Sequence, residues 1–439
     1  MTRIRHATRD TFRSLGVRNF RLFFGGQLIS QIGNWLTLVA QTLLVLKLTD
    51  SGYALGALAA AQFGPVLLFG AFAGLVADRS DKRRLLITVQ TLAMLQSFAL
   101  AALAFMHHPP VLAIYAVAFC GGLTTAFDNP TRRSFVVEMV PEDSINNAVS
   151  LNSALMTGAR VVGPALAGLL VTTAGFGWCF TLDAVSYLAV IAALWRMNPA
   201  EVRQAPVTPK GKGQVRDGLR YARSVPELYV PLIMMALIGT LAYNFQTVLP
   251  LFATRDLHGS DVTFTWLMSV VSCGSLIAAL LTARRTTIDV RIVSRNAAVF
   301  GVALAALAVM PNQPSAFAVG FLVGLGSLMF MTAATAITQL AATPSMRGRV
   351  LALQAIVFLG STPIGGPIVG AISERFGARY GIALGAAATL AASAYGLIAV
   401  RRSRPAASAP AAGPVPMRAH GDASGELALL DPLITPKAS

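Results

Sequence analysis

The chain has 439 residues, of which 55% are hydrophobic and 12% are charged, about half the charged fraction of an ordinary soluble domain. Its net charge is +16, but the basic residues alternate with long apolar runs instead of sharing one solvated face, which excludes a typical nucleic-acid binder. Three cysteines and five histidines show no metal-ligand spacing, so we expect no metal and no cofactor.

Twelve apolar runs are each long enough to cross a bilayer as a helix, which takes about 20 residues. The first 24 residues are basic but contain no cleavage site after a short apolar core, so we expect the first run to stay in the protein. We number the runs as spans 1 to 12. They lie at 21–46, 53–77, 85–106, 111–127, 146–173, 178–195, 228–252, 264–283, 292–310, 315–341, 350–372 and 379–400.

The basic residues are distributed unequally between the two sides of these spans. With the N-terminus on the cytoplasmic side, thirty of the 35 Lys and Arg residues fall in cytoplasmic segments, and Arg160 falls inside a span. Such a bias predicts a multi-pass inner-membrane protein with both termini in the cytoplasm. The basic residues left for the outer side are Lys47, Arg255, Arg375 and Arg379.

The chain divides into two halves that resemble each other. Pro141, just before span 5, and Gly163 and Pro164 within it each have an identical residue 203 positions later, at Pro344, Gly366 and Pro367. A duplicated unit with a binding site between the repeats is typical of secondary transporters. The predicted organisation is a cytoplasmic N-terminal segment 1–20, a six-helix bundle 21–195, a cytoplasmic linker 196–227, a second six-helix bundle 228–400 and a disordered cytoplasmic tail 401–439.

Polar side chains recur on one face of span 1 and again on span 7, its equivalent in the second half. In lipid such a row must face protein or water, because an unsatisfied amide in hydrocarbon costs several kcal/mol. The row predicts a central substrate cavity, and interhelical hydrogen bonding that only joins the helices is the alternative. The residues are Gln27, Gln31, Asn34 and Gln41 in span 1 and Thr240, Asn244 and Thr247 in span 7.

Two charged residues fall within the predicted spans, where charge is costly and usually functional. Arg160 lies near the middle of span 5, and Asp183 lies about a turn and a half into span 6. Their depths differ, so we do not expect them to pair. We expect Arg160 to face the central cavity, and the alternative is a structural charge packed against neighbouring helices. For Asp183 the alternative is a water-exposed residue near the outer surface.

The sequence GLVADRSDKRR between spans 2 and 3 resembles the signature found at this position in the major facilitator superfamily. Span 5, with RVVGPALAG, is similar to the branch that contains the enterobactin exporter and macrolide efflux proteins. Of the drug-antiporter pattern in this span, Gly163, Pro164 and Gly168 are present as helix-packing residues, whereas Ser150 and Ala159 replace the two earlier glycines. The signature residues are Gly74, Asp78, Arg79, Lys82, Arg83 and Arg84, with Asp81 in place of the usual second glycine.

The resemblance implies an all-α membrane protein with twelve transmembrane helices in two pseudo-symmetric six-helix bundles. It also implies a gating role for the signature. Asp78 would face the positive N-terminal end of span 11, and Arg79 or Arg83 would pair with Asp128, taken as the acidic end of span 4. The alternative is that these charges only orient the chain, although positive-inside bias does not account for Asp78.

These features predict a monomeric, proton-coupled exporter (antiporter) of a drug-like compound, siderophore or metabolite, working by alternating access. No phosphate-binding G-x-x-x-x-G-K-[ST] loop is present, so we expect no use of ATP. An intramembrane enzyme would need clustered His, Asp or Glu in its spans, and these are nearly absent. A receptor or scaffold gives no reason for a duplicated unit, whereas a lipid or lysolipid transporter of the same fold stays open.

Overall fold

The computed structural model describes residues 12–203, 214–282 and 288–402. These residues contain twelve helices that are long and apolar enough to cross a membrane, which confirms the predicted fold class. Spans 1 to 6 are Arg18–Thr49, Gly52–Arg79, Lys82–Ala104, Val111–Glu138, Ile145–Thr173 and Phe176–Arg196, and spans 8, 9, 10 and 12 are Asp261–Thr282, Val290–Ala308, Gln313–Ala341 and Ala378–Arg402.

Spans 7 and 11 are interrupted near their middle. Span 7 consists of Pro226–Leu241, Phe245–Leu251 and a π-helical turn, Phe252–Asp256. Span 11 consists of Pro344–Leu359 and Thr362–Phe376, and it breaks just before a proline, Pro363, which has no N–H for the helical ladder. At both breaks a side chain bonds to the freed backbone, since Asn244 donates to the Thr240 carbonyl and Ser361 to the Phe358 carbonyl.

Small residues bring the helices of each half close together, as is usual where lipid removes the hydrophobic drive for association. A Cβ atom at Gly26 of span 1 would lie 3.0 Å from the Cα of Val190 in span 6. In the second half, a Cβ atom at Gly301 of span 9 would lie 2.8 Å from Leu390 of span 12. Spans 1–6 and spans 7–12 therefore form two tightly packed bundles.

The two ends of the bundles differ in their connections. We call the end with the short connections 50–51, 174–175 and 377 the loop face, and the end that carries residues 12, 197–225 and 402 the linker face. The described part of the predicted linker 196–227 contains a short 3-10 helix, Pro199–Glu201, and an α-helix, Gln214–Ser224, at the linker face. Of the predicted tail 401–439, the residues after 402 lie outside the described residues, as do residues 1–11 of the predicted N-terminal segment.

At the loop face the two bundles are in direct contact. A Cβ atom at Gly52 of span 2 would lie 2.7 Å from the carbonyl oxygen of Gly370 in span 11, and one at Gly56 would lie 2.8 Å from that of Gly366. Gly168 of span 5 packs directly against a residue of span 8, Thr265. These contacts leave no room for a side chain, so the loop face is closed.

At the linker face the same helices are separated. A Cβ atom at Gly70 or Gly74 of span 2, at Gly158 of span 5 or at Gly348 of span 11 would meet no described atom within 4 Å. As far as the described residues go, the space between the bundles is therefore open toward the linker face.

Span 4 corrects the predicted boundary, because it continues to Glu138 instead of ending at residue 127. Arg132, assigned from the sequence to a loop, is buried inside this helix together with Asp128. The two side chains form an ion pair one helical turn apart, which lets the helix continue through charged residues. Arg160 is consequently not the only basic residue inside a span.

Candidate functional site

Arg160 lies near the middle of span 5, on the side that faces the space between the bundles. Its side chain is exposed, and its guanidinium carbon lies 5.1 Å from the centre of the Trp35 ring in span 1. Tyr243 of span 7, in the other bundle, is close enough to interact electrostatically with Arg160. The guanidinium therefore lies at mid-depth between the two halves.

A row of polar side chains leads along span 5 from the linker face to Arg160. Its members follow one another at helical spacing and are exposed or half-buried. On the same face, three turns after Thr157, Gly168 is covered by Thr265 of span 8. The row is thus open at its linker-face end and closed at its loop-face end. It consists of Asn146, Ser150, Ser153, Thr157 and Arg160.

The break in span 7 brings aromatic rings to the same depth. Tyr243 lies in the break, where its hydroxyl donates a 2.6 Å hydrogen bond to the Ser327 carbonyl. Its ring centre is 5.1 Å from that of Phe358, 5.4 Å from that of Phe300 and 5.9 Å from that of Phe245. We call these four rings the aromatic group.

The three polar residues predicted for the cavity from span 7 pack against span 11. A Cβ atom at Gly365 would touch the Thr240 carbonyl and would lie 2.9 Å from the Asn244 amide nitrogen, and one at Gly366 would lie 3.8 Å from the Thr247 hydroxyl. The hydrogen bonds of Thr240 and Asn244 stay within span 7, so their contact with span 11 is close packing, and a role in substrate binding stays a prediction.

A second polar space lies inside the N-terminal bundle, between spans 1, 2, 3, 4 and 6. It has a volume of about 140 Å³, enough for several water molecules. Of the span 1 row, Asn34 and Gln41 line this space, whereas Gln27 and Gln31 are buried. The other polar residues on its wall are Thr37, Gln62, Gln90, Gln96, Thr124, Thr125, Asp128, Arg132, Asp183 and Tyr187.

Asp128 is held within this space by two neighbours. Gln90 of span 3 donates a 2.7 Å hydrogen bond to its Oδ1 atom, and Arg132 donates to its Oδ2 atom. The Arg132 guanidinium also lies against the Gln31 amide, whose oxygen is 3.1 Å from Nη2 when the amide is turned to accept. The expected pairing of Asp128 with Arg79 or Arg83 is therefore wrong for this state, because its partner is Arg132.

The basic residues of the signature bind elsewhere at the linker face. Arg83 donates to the last carbonyls of span 6, at 2.7 Å to Leu194 and 3.2 Å to Trp195. Lys82 forms a 2.7 Å ion pair with Glu138, the true acidic end of span 4. Arg84 lies 3.6 Å from Asp81, which caps the start of span 3 by accepting from the Arg84 N–H.

Asp183 lies on the wall of the same space and is 1% exposed, so the alternative of a water-exposed residue is wrong. Ser97 of span 3 donates a 2.7 Å hydrogen bond to its Oδ2 atom, whereas Oδ1 has no hydrogen-bond partner among the described residues. A Cβ atom at Gly33 of span 1 would lie 2.5 Å from Oδ1. Gly33 and Trp35 point to different sides of span 1, so Asp183 and Arg160 lie on different sides of this helix.

The span 5 residues that matched the antiporter pattern are all packing residues in this structure. Gly163 lies directly against Trp35, and Gly168 against Thr265. Pro164 is buried within an unbroken helix.

Charged residues join the two bundles across the closed loop face. Arg255 at the end of span 7 lies 3.3 Å from Asp50 of the N-terminal half and 3.1 Å from Glu374 of span 11. Glu374 in turn accepts a 2.6 Å hydrogen bond from the Gly52 N–H at the start of span 2. We call Asp50, Arg255 and Glu374 the loop-face ion cluster.

A model of one protein family matches residues 10–417, nearly the whole chain, and that family is described as transmembrane secretion effectors of the major facilitator superfamily. The chain belongs to this family.

Curated relatives of this chain are transporters in bacteria. It is 24% identical over 360 residues to the staphyloferrin A transporter of Staphylococcus aureus, covering 81% of this chain and 90% of the relative. It is 22% identical to macrolide efflux protein A of Streptococcus pyogenes, covering 82% and 91% of the two chains. With the multidrug efflux pump Tap of Mycolicibacterium fortuitum the identity is 25%, covering 79% and 87%.

Solved structures share the fold of this chain at low sequence identity. A peptide transporter of the POT family in complex with sulfate superposes with a TM-score of 0.72 at 14% identity, covering 88% of this chain and 94% of that one. A bacterial homologue of the human lysosomal transporter Spinster, in an inward-facing and occupied conformation, superposes with a TM-score of 0.68 at 16% identity. The match covers 89% of this chain and 97% of that one. Family and fold are those of membrane transporters.

The loop-face ion cluster was not predicted from the sequence. The signal was available, because Arg255 and Arg375 belong to the four basic residues predicted for the outer side and lie next to Asp256 and Glu374 in the sequence. The aromatic group was not predicted either, because the residues around Tyr243 give no sequence signal for a break in span 7.

Proposed function

We propose that the chain is a proton-coupled exporter that works by alternating access, taking its cargo from the linker face and releasing it at the loop face. The observation that carries this proposal is the polar row of span 5, which runs from an open linker face to Arg160 at mid-depth and is closed beyond it. Access from one side to a central site is what alternating access requires in each of its end states.

The direction of transport follows from the predicted orientation. Basic residues concentrate at the linker face, which supports an orientation with that face in the cytoplasm and the chain in the inner membrane. The open state described above would then load from the cytoplasm. The names of the relatives, which include two efflux proteins and a siderophore transporter, support a small-molecule cargo and export. Both halves of the fold lie in one chain, so a monomer suffices.

Asp183 is our candidate for the residue that carries the proton. It is a buried carboxyl group beside a polar space large enough for water, and its Oδ1 atom has no hydrogen-bond partner in the described part of the chain. A carboxylate inside a membrane protein without a counter-ion is costly, and a proton removes that charge. Asp128 is the less suitable acid, because Arg132 already balances its charge.

The signature at the linker face is our proposed gate for the opposite state. When the linker face closes, span 2 would approach the N-terminal end of span 11, whose positive dipole end favours the Asp78 carboxylate. The loop-face ion cluster would separate in the same step.

Export can be tested in a deletion strain and in everted membrane vesicles from cells that express the chain. Drugs, siderophores and metabolites are screened first for a difference in susceptibility or release. We expect vesicles to accumulate the compounds so identified when a proton gradient is imposed, and to lose this accumulation when an uncoupler abolishes the gradient. Accumulation that is unchanged by the uncoupler would contradict proton coupling, and no accumulation of any compound would contradict export.

A further inference from the structure

We propose that Arg160, Trp35 and the aromatic group form a binding subsite for an organic anion, so that the cargo carries a carboxylate or a similar anionic group beside a planar apolar part. This inference rests on the proposed function, since it names the class of cargo for the central site. Three independent features of the structure support it: the charge of the site, its aromatic surroundings and its access.

The charge at the site is positive and is not balanced by the protein. An arginine side chain keeps its charge in proteins, and none of the described acids forms an ion pair with Arg160. Three acids are buried within the described spans of the N-terminal bundle, and each is engaged elsewhere: Asp128 with Arg132, Glu138 with Lys82 and Asp183 with Ser97.

The C-terminal bundle supplies no counter-ion at this depth either. Within its described residues, every acid lies at an end of a span, at one face or the other. A cation at membrane depth that lacks a protein partner is costly, and an anionic cargo would offset that cost. The acids in question are Glu227, Asp256, Asp261, Asp289 and Glu374.

The surroundings of the guanidinium select for a planar group. Arg160 lies over the face of Trp35, an arrangement in which the ring offsets part of the cost of desolvating the cation. Stacking in this way leaves the N–H groups at the guanidinium edge available for a bidentate contact with a carboxylate. Tyr243 lies across from Arg160 in the other bundle. Tyr243 and the half-buried rings of Phe245 and Phe358 beside it can take up a flat apolar group, whereas Phe300 is fully buried behind them.

Access to the site is also suited to a charged molecule. The polar row from Asn146 to Thr157 offers hydroxyl and amide groups along the whole path from the linker face. An anion could therefore reach Arg160 without crossing an apolar barrier. The breaks in spans 7 and 11 at this depth agree with the rule that discontinuous helices mark binding sites in transporters.

The experiment compares three probes that share one phenyl ring and one chain length: 4-phenylbutyrate, 4-phenylbutanol and 4-phenylbutylamine. Binding to the purified full chain in lipid nanodiscs is followed by the fluorescence of Trp35, after Trp178, Trp195 and Trp266 have been replaced by Phe. All three replaced residues are more than half exposed, so their loss should leave the fold unchanged. We expect the carboxylate to bind at least tenfold more tightly than the alcohol or the amine.

The variants locate the anion site. Arg160→Gln should reduce binding of the carboxylate to the level of the alcohol, and Arg160→Lys should weaken it by at least threefold because the ammonium cannot form the bidentate contact. The matched control is Arg295→Gln, which removes an exposed guanidinium from span 9 and should bind all three probes as the parent does. The thermal unfolding midpoint shows whether Arg160→Gln is folded. If it is not, the affinities of the three probes for the parent and for Arg160→Lys test the anion site.

Equal affinity for the three probes, or unchanged carboxylate binding in a folded Arg160→Gln variant, would overturn the anion site. The vesicle assay distinguishes this from a failure of the proposed function. If Arg160→Gln accumulates cationic or neutral compounds at the parental rate under a proton gradient, the proposed export function holds and the anion site is contradicted. If 4-phenylbutyrate binds tightly and its binding depends on Arg160, but no compound is transported under a gradient, the anion site is supported and the proposed function is contradicted.

Discussion

The carboxylate of Glu374 accepts a 2.6 Å hydrogen bond from the backbone N–H of Gly52, and this bond joins the two bundles at the loop face. Arg255 binds the same carboxylate and also contacts Asp50. A hydrogen bond to a charged group contributes about 1.5–3 kcal/mol, which is enough to change the ratio of two transporter conformations by tenfold or more. The loop-face ion cluster is therefore expected to favour the state that is closed at this face.

Replacing Glu374 by Gln should shift the protein toward a state that is open at the loop face. The amide still fits, but it accepts a weaker hydrogen bond and no longer balances Arg255. The distance between spin labels at His107→Cys and Pro311→Cys, one in each bundle at the loop face, reports the change. The labels are attached after Cys120, Cys179 and Cys273 have been replaced, and we expect a new population at longer distance.

The control for this prediction is Asp256→Asn. It removes a 3.2 Å ion pair with Arg379 that also lies at the loop face but stays within the C-terminal bundle. Its distance distribution should match that of the parent. A Glu374→Gln variant with the parental distribution would show that the cluster does not set the conformational equilibrium.

Neutralising the proposed proton carrier should uncouple transport from the gradient. In Asp183→Asn the side chain keeps its size and can still accept from Ser97, so the chain should fold, but the amide cannot take up and release a proton. We expect gradient-driven accumulation in vesicles to fall at least tenfold while exchange of cargo without a gradient continues. Ser97→Ala, which removes only the hydrogen bond, should retain most of the gradient-driven activity. If transport in Asp183→Asn is still fully coupled to the gradient, another residue carries the proton.

Asp128 and Arg132 should depend on each other for their effect on stability, because each balances the buried charge of the other. Removing one member of such a pair leaves an uncompensated buried charge, which typically costs 3–5 kcal/mol. We therefore expect Asp128→Asn and Arg132→Met each to lower the thermal unfolding midpoint strongly, and the double variant to lower it less than the sum of the two. Strictly additive effects would mean that the two charges do not depend on each other.

The fold could be predicted because its signals are long and repeated. Each span is an apolar run of about the thickness of a bilayer, and the duplicated residues Gly163 and Gly366 relate the two halves. The end of span 4 could not be placed, because an apolar run stops at Asp128 whereas the helix continues through an ion pair that only tertiary packing makes possible. Hydropathy describes how readily a side chain enters lipid, whereas Arg132 is buried against other parts of the protein.

The site could be predicted only in part, for a similar reason. Periodicity identifies which residues share a face of span 1, but it does not say what that face meets. The row of Gln27, Gln31, Asn34 and Gln41 was expected to face a central cavity, whereas the structure places it toward the interior of its own bundle. Arg160 was recognised because charge inside a span is costly wherever it points. Its ring partner Trp35 depends on the helix crossing and has no signal in the sequence.

The last prediction concerns Gly74, the glycine of the linker-face signature. In the present state a Cβ atom there meets nothing within 4 Å, and glycine inside a helix is less favourable than alanine by about 1 kcal/mol. Gly74→Ala and Gly74→Leu should therefore unfold at the same temperature as the parent or at a higher one.

Transport, in contrast, should fall as the side chain at position 74 grows. When the linker face closes, span 2 is expected to approach span 11 as closely there as it does now at the loop face, where Gly56 leaves no room for a Cβ atom against Gly366. Gly74→Leu would block that approach and hold the chain in its present conformation, so the label pair at the loop face should show only the short distance. We expect accumulation in vesicles, at equal abundance of protein, to decrease moderately for Ala and at least tenfold for Leu. If Gly74→Leu transports at the parental rate, the signature glycine does not lie in a closing interface and the linker face must close through other residues.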